Sequence, residues 1–404
     1  MNQRKNKSLW SLALFIALSV NLFAEDWPQW RGPNRDGISQ EKDWLVQWPS
    51  EGPKQLWKAA VGIGYSSMSV SQGKLYTMGN IGETDHIFCL DANSGKEIWN
   101  HSYPCSSKDP NGFPGTRCTP TVDGKFVYTV SRQGNLFCLE AGTGKVVWFK
   151  DYQKDYDAKV PRWGFSTSPL VEKNLLIVET GARGAAVIAF DKSSGKEVWK
   201  TGDDPAGYSS PVSFSQNGER CVAILNASGI VGFRIKDGKE LWRHPWKTMY
   251  DVNAATPIIE GDKVFISSGY NTGCALIQFS ATPPKVLWQN KNMRNHVNSS
   301  VLWKGHLYGF DEKDLQCLDF STGASKWSEK GFGKGSLMIA DGKLIIYSDT
   351  GKLAVAEASP SGYREIASAQ ILGGKNTWIV PVLANGKIYC RSLEQLVCLD
   401  VRKK

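Results

Sequence analysis

Eight times along the chain a turn, most often marked by glycine, leads into a short apolar strand. The spacing of these turns limits what the chain can fold into. They start at Gly73, Gly124, Lys173, Gly218, Gly261, Gly305, Gly342 and Gly386, 37 to 51 residues apart. A second signature runs between them: an apolar-acidic step, a Gly-Lys pair, and Trp four residues after the Gly. It reads LDANSGKEIW to Trp99, LEAGTGKVVW to Trp148, FDKSSGKEVW to Trp199, FRIKDGKELW to Trp242 and LDFSTGASKW to Trp327. A period near 45 residues with strand-turn-strand content in each unit predicts a β-propeller, and eight units predict eight blades. Runs such as LYTM, FVYTV, LLIVET and LIIYS are β-branched and aromatic and are bounded by Gly, Asp or Asn. That is strand chemistry, and no sustained 3.6-residue apolar period competes with it, so the fold class is all-β.

The ends of the repeat predict how the ring closes. The last unit, VPVLANGKIYCRSLEQLVCLDV, stops after its third strand, and the missing Trp-bearing strand stands near the start as Lys54-Gln55-Leu56-Trp57-Lys58. The N-terminal strand should complete the C-terminal blade and remove two open sheet edges. Trp57, Trp99, Trp148, Trp199, Trp242, Trp288 and Trp327 are expected on outer strands, wedged against the turn of their own or the next blade. Blade seven lacks its Trp around Tyr363-Arg364-Glu365-Ile366 and is expected to be the loosest.

Before the propeller stand two further segments. Residues 1–24 read as a secretory signal: Arg4, Lys5 and Lys7 precede an apolar stretch from Leu9 to Phe23 that ends at Ala24. The apolar stretch is too short for a membrane anchor, and Glu25, not cysteine, follows it, so no lipid anchor is expected. An exported, periplasmic or envelope protein follows, without a membrane span in the mature chain. Residues 25–53 carry Trp27, Trp30, Trp44 and Trp48 amid Pro and Gly. They are expected to strap across the propeller surface without regular structure. The propeller itself spans residues 54–402.

Charge and cysteine content exclude several function classes. The formal net charge is +9, but three of the positive charges belong to the signal and many of the rest to repeat turns. No basic stripe with interleaved aromatics is present, so nucleic acid is not an expected partner. Of the nine cysteines, Cys89, Cys138, Cys317 and Cys398 occupy one repeat slot in different blades and are too far apart to pair. They are read as buried thiols, whereas Cys105 and Cys118 flank a Pro/Gly-rich loop where a disulfide is open. The five histidines lack metal-ligand spacing, and Asp91-x-Asn93-x-Gly95 is a repeat turn, not a calcium loop. No catalytic or metal residue is assigned.

A binding site is expected where the innermost strands begin. The segments that enter them, among them GYSSMSV, RCTPTV, RWGFSTSPLV and GYSSPVSF, place small hydroxyl residues before an apolar strand. Immediately before them stand residues the repeat does not demand: Tyr65, Arg117, Arg162, Trp163, Tyr208, Asn253, His296, Asn298, Lys334 and Trp378. Equivalent blade positions should bring them to one funnel mouth. Aromatics, amides and cations in a concave site suit a small planar or anionic ligand. The competing reading is that these loops only cap the channel and hold water.

The Ser/Thr-Gly-Lys-x-x-Trp repeat with its preceding Leu-Asp resembles the tryptophan-docking repeat of pyrroloquinoline-quinone (PQQ) propellers. That family includes PQQ-dependent alcohol dehydrogenases and the outer-membrane assembly factor BamB. The opening Trp27-Pro28-Gln29-Trp30-Arg31-Gly32-Pro33-Asn34-Arg35-Asp36-Gly37 resembles exported PQQ-like repeat proteins of planctomycetes. The resemblance implies an eight-bladed propeller and two kinds of activity. One is a non-catalytic binding or scaffolding module with an envelope protein partner, expected as a monomer. The other is a PQQ- and Ca²⁺-dependent alcohol or sugar dehydrogenase, and a glycan-binding propeller is a third reading. The dehydrogenases typically carry an adjacent Cys-Cys pair, which this sequence lacks, as it lacks Cys-x-x-Cys-His. Asp251 and Asp349 are the nearest candidates for a catalytic base.

Overall fold

The computed structural model describes residues 25–403. Their strands form eight sheets that follow one another around a ring. Blade 1 is typical: Ser69–Ser71, Lys74–Ile81, Thr84–Asp91 and Glu97–Pro104 run antiparallel from the channel outward. Each innermost strand is short, and the middle two strands of a blade are apolar on both faces because they pack against the neighbouring blades. The all-β reading holds, with two small exceptions: a five-residue helix Tyr152–Tyr156 capped by Asp151, and a 3-10 turn Met249–Asp251. Among the described residues no helix is long and apolar enough to cross a membrane.

Blade 8 closes as its sequence required. Lys54–Ala60 pairs antiparallel with Gln395–Asp400, two residues longer than the segment read from the repeat. First and last strands therefore share a sheet, which ties the ring shut.

The repeat signature has a mechanical explanation. The aspartate of Leu-Asp accepts hydrogen bonds from the turn that follows it: Asp91 Oδ1 receives the amides of Asn93 and Ser94 and the Ser94 hydroxyl. Asp191 and Asp319 repeat the pattern, and these bonds hold the Asp191 carboxyl down to about 2. The turn glycine then adopts positive φ, and the indole of the preceding blade lies on its α-carbon. A Cβ on Gly95 would sit 2.6 Å from the Trp57 ring, and one on Gly195 2.6 Å from the Trp148 ring. The indole N–H donates across the seam: Trp57 to Ala92 O, Trp99 to Ala141 O, Trp148 to Lys192 O, Trp199 to Ile235 O, Trp288 to Phe320 O and Trp327 to Ser359 O, at 2.8–3.2 Å. Each docks on the next blade, not on its own.

Trp242 departs from this. Blade 5 has no turn glycine in that place, and Phe279 stacks on the Trp242 indole at 4.9 Å and 12° while its N–H turns back to Gln216. In blade 7 the Trp slot is filled by Ala367.

A β-bulge just before each Trp re-aims it toward the neighbour. The extra residue is turned outward, which accounts for Ile98, Val147 and Val198 being exposed at 44, 40 and 51%.

A second ring of bonds runs inside. Small hydroxyls at the entry of the inner strands stitch successive blades: Ser67 N donates to Thr119 Oγ1, Thr119 N to Ser168 Oγ, Ser168 N to Ser210 Oγ and Thr256 N to Ser299 Oγ, at 2.8–3.1 Å. Tyr208 N to Asn253 O, Asn298 Nδ2 to Gly335 O, Ser336 Oγ to Ile379 O and Ser67 Oγ to Val380 O complete the circuit of eight seams. This is why those segments read Ser/Thr before an apolar strand.

The N-terminal segment is mostly irregular and crosses the propeller at its channel. It threads the channel and touches all eight blades. Trp27 pairs with Val70 of blade 1, Pro28 O receives Val122 N of blade 2, and Trp30 Nε1 donates to Thr256 Oγ1 of blade 5. Arg31 donates to Ser300 O of blade 6, and Arg35 to Ser168 O and Pro169 O of blade 3 and Pro211 O of blade 4. Ile38–Ser39 adds a parallel strand to blade 7, and Glu41 receives the Asn385 and Gly386 amides of blade 8. Arg31 and Arg35 are 4 and 3% exposed. Burial pulls both guanidinium pKa values down, yet their donors meet carbonyl groups that the strand ladders leave free.

Candidate functional site

The segments that enter the inner strands meet on the side of the channel away from this plug, around a cavity of about 200 Å³. Of the ten residues singled out in the sequence, Tyr65, Arg117, Trp163, Tyr208, His296, Asn298, Lys334 and Trp378 line it. Two do not. Asn253 is fully buried and spends its amide on Asn226 O, Trp246 O and Ser268 Oγ, so it staples blade 5 to its neighbour. Arg162 is exposed at the rim, bonded to Asn111 and lying over the rings of Trp163 and Tyr250.

Aromatic rings make two walls. Trp378 stacks on Tyr65 at 5.6 Å and 21°, and Phe113 is tilted against it at 5.4 Å and 37°. Opposite, Trp163 meets Tyr208 and Tyr250 edge-on at 6.0 Å, and Tyr270 meets His296 at 4.6 Å. Trp30 of the plug closes the floor, and Ser166, Ser168 and Ser210 add hydroxyls. Phe113, Trp30 and Tyr270 were not legible as site residues. The first two come from segments outside the blade pattern, and Tyr270 comes from the hairpin between the middle strands of blade 5, where positive φ values at Tyr270 and Asn271 turn the chain.

The charges are tied to one another. Arg117 donates to Asp109, which Arg132 also holds, and to Trp163 O and Phe113 O; burial lowers its pKa to about 10. Lys334 contacts His296 Nδ1 and lies 3.8 Å from Glu312, whose other oxygen receives Tyr270 N. Burial lowers the Lys334 pKa, while the His296 hydrogen bond and then the charge of Lys334 hold the Glu312 carboxyl below its usual range. A carboxylate so held is a poor general base. Asp251 and Asp349 do not line the cavity; Asp349 accepts the Lys334 amide instead. All nine cysteines, Cys105 and Cys118 included, are buried and unbridged.

A quinone held with Ca²⁺ requires an oxygen-rich cage of six to eight ligands. Among the described residues no group of three or more His, Cys, Asp or Glu stands together to hold a metal ion. The cavity lining holds no Asp or Glu, so the funnel offers such an ion no anionic ligand.

The model of a protein family described as outer membrane protein assembly factor BamB matches residues 83–329. The chain belongs to this family. No curated protein matches it in sequence. Among solved structures it is similar to BamB from Moraxella catarrhalis (TM-score 0.63, 14% identity, covering 87% of this chain and 98% of that one). It is also similar to quinohemoprotein alcohol dehydrogenase from Comamonas testosteroni (TM-score 0.66, 12% identity, 94% and 81%) and to a europium-containing methanol dehydrogenase (TM-score 0.64, 12% identity, 93% and 89%). At such identities the likeness is one of fold. Assembly factors and dehydrogenases alike use it, so the role is decided by the site.

Proposed function

We propose that this protein is a non-catalytic binding module of the cell envelope, and that the aromatic funnel is its ligand site. The observation that carries the reading is that the cavity lining holds aromatic rings, hydroxyls and amides but no carboxylate that could act as a base. Such a surface recognises a molecule without moving its protons. The likeness to BamB agrees with a role in assembly or docking, and export agrees with the basic and apolar stretch at residues 4–24. That stretch lies outside the described residues.

The test is a dye-linked oxidation assay of the purified chain with PQQ and Ca²⁺, using ethanol and glucose as substrates. Dye reduction no faster than with PQQ alone is the expected result. Saturable turnover would replace this reading with a quinoprotein dehydrogenase. Fractionation of the producing cell should place the protein in the envelope, and recovery in the cytosol would remove that part of the proposal.

A further inference from the structure

The funnel carries a pattern of unused hydrogen-bonding groups that specifies more than a generic ligand. Ser168 and Ser210 stand side by side in successive blades, and each Oγ already accepts a backbone amide at 3.0 Å, from Thr119 and Ser168. The Ser168 hydroxyl also lies against the Cys118 thiol, whereas Ser210 Oγ donates to no protein acceptor among the described residues, so its O–H is available to a guest. Asn298 presents the opposite chemistry. It is 5% exposed, its Nδ2 donates to Gly335 O, and its Oδ1 has no partner among the described residues. The indole N–H of Trp378 is likewise buried without a partner. A guest that satisfies this lining must both donate and accept at short spacing, which hydroxyl groups do and a planar anion with acceptors alone does not.

Two further features narrow the class. Indole and phenol faces on both walls suit the C–H face of a saturated ring. The charges do not cancel: Asp109 is shared by two guanidinium groups, Arg117 and Arg132, and Arg162 stands at the rim without a carboxylate partner. The cavity lining carries two cations, Arg117 and Lys334, and no carboxylate; Glu312 and Asp349, which face Lys334, lie outside the lining. The cavity has room for one ring and opens outward, so the remainder of a chain would leave through the mouth.

We infer that the funnel binds a sugar acid, a pyranose ring bearing a carboxylate, either free or as a uronic acid unit of a glycan. This rests on the reading of the funnel as a ligand site. The ring hydroxyls would meet Asn298 and Ser210, its apolar face an indole, and its carboxylate the cations of the lining.

The full chain should be titrated with D-glucuronate, D-glucose and phthalate, following Trp fluorescence and heat. Saturable glucuronate binding, with glucose and phthalate each at least tenfold weaker, is expected. Lys334→Gln should bring glucuronate to the level of glucose, and Lys334→Arg should restore it. Asn298→Ala should weaken both sugars, and melting curves will show whether the seam that Asn298 closes survives. A glucuronate oligomer that binds tighter than the monomer identifies a glycan as the source, and equal binding identifies the free acid. Glucuronate bound no better than glucose, phthalate preferred to both, or no saturation by either sugar overturns the inference. Saturable phthalate binding in that last case leaves the funnel as a ligand site, whereas quinone-dependent turnover removes the underlying reading.

Discussion

At the residue scale the buried guanidinium groups are answered mainly by backbone carbonyls. Arg391 is fully buried and has no carboxylate partner among the described residues; its guanidinium donates to Ser66 O, Met78 O, Gly62 O and Thr77 Oγ1. Glu179 is buried at greater cost. It is 1% exposed, it receives only the Gly207 amide, and burial raises its pKa to about 8. Between the unfolded value near 4.5 and about 8 the unfolded chain has lost this proton while the folded one keeps it. Stability is therefore lost as pH rises through that window, by about 1.4 kcal/mol per unit. Glu179→Gln should be nearly neutral at pH 4 and stabilising by several kcal/mol at pH 8, as read from urea unfolding at the two pH values. A gain independent of pH would contradict the assignment.

Residue chemistry alone did not distinguish Asn253 from Asn298. Both precede an inner strand, yet one amide is fully consumed between blades and the other keeps an acceptor free. Neighbours brought in by the fold make that difference.

At the element scale the stabilising unit is the indole of one blade seated on the turn glycine of the next. Each buried Trp removes on the order of 150–250 Å² from water. The seat has no room for a methyl group. Gly195→Ala places Cβ 2.6 Å from the Trp148 ring at φ +68°, whereas Gly261→Ala at φ +58° meets nothing within 4 Å. Both substitutions carry the cost of a left-handed backbone, about 1 kcal/mol. Only the first also displaces an indole, so its loss should exceed the second by about 1–3 kcal/mol in thermal or chaotrope unfolding. Equal losses would mean that the seat is not tight.

The docking repeat was legible residue by residue because its parts lie within ten positions of one another. Its direction, onto the next blade, was not. Nor was the Phe279 substitute under Trp242, because that contact joins residues 37 apart.

At the scale of the whole molecule two devices close the ring, the shared sheet of blade 8 and the plug at the axis. The sheet was expected from the truncated last repeat. The plug was not, since nothing local marks a Pro/Gly-rich segment as buried. It organises the site as well as the fold, because the same segment that anchors Arg31 and Arg35 supplies Trp30 to the cavity floor. Arg35→Ala leaves carbonyls of two blades without donors and should lower unfolding free energy by about 3 kcal/mol or more. It should also speed proteolytic cleavage between residues 25 and 41. Wild-type stability in this variant would mean that the plug is held by its tryptophans and strand pairing alone. Trp30→Ala, by contrast, should deepen the funnel with a smaller loss, since Trp30 is only partly buried and makes one hydrogen bond.

The sequence by itself determined the fold class, the number of blades, the closing strand and most of the residues at the mouth. These depend on patterns that recur at a fixed period, and a period is a local property of the chain. Tertiary structure alone decided which mouth residues face the cavity, where the N-terminal segment runs, and which polar atoms are left unpaired. Those outcomes depend on contacts between residues of different blades, and no spacing along the chain encodes them.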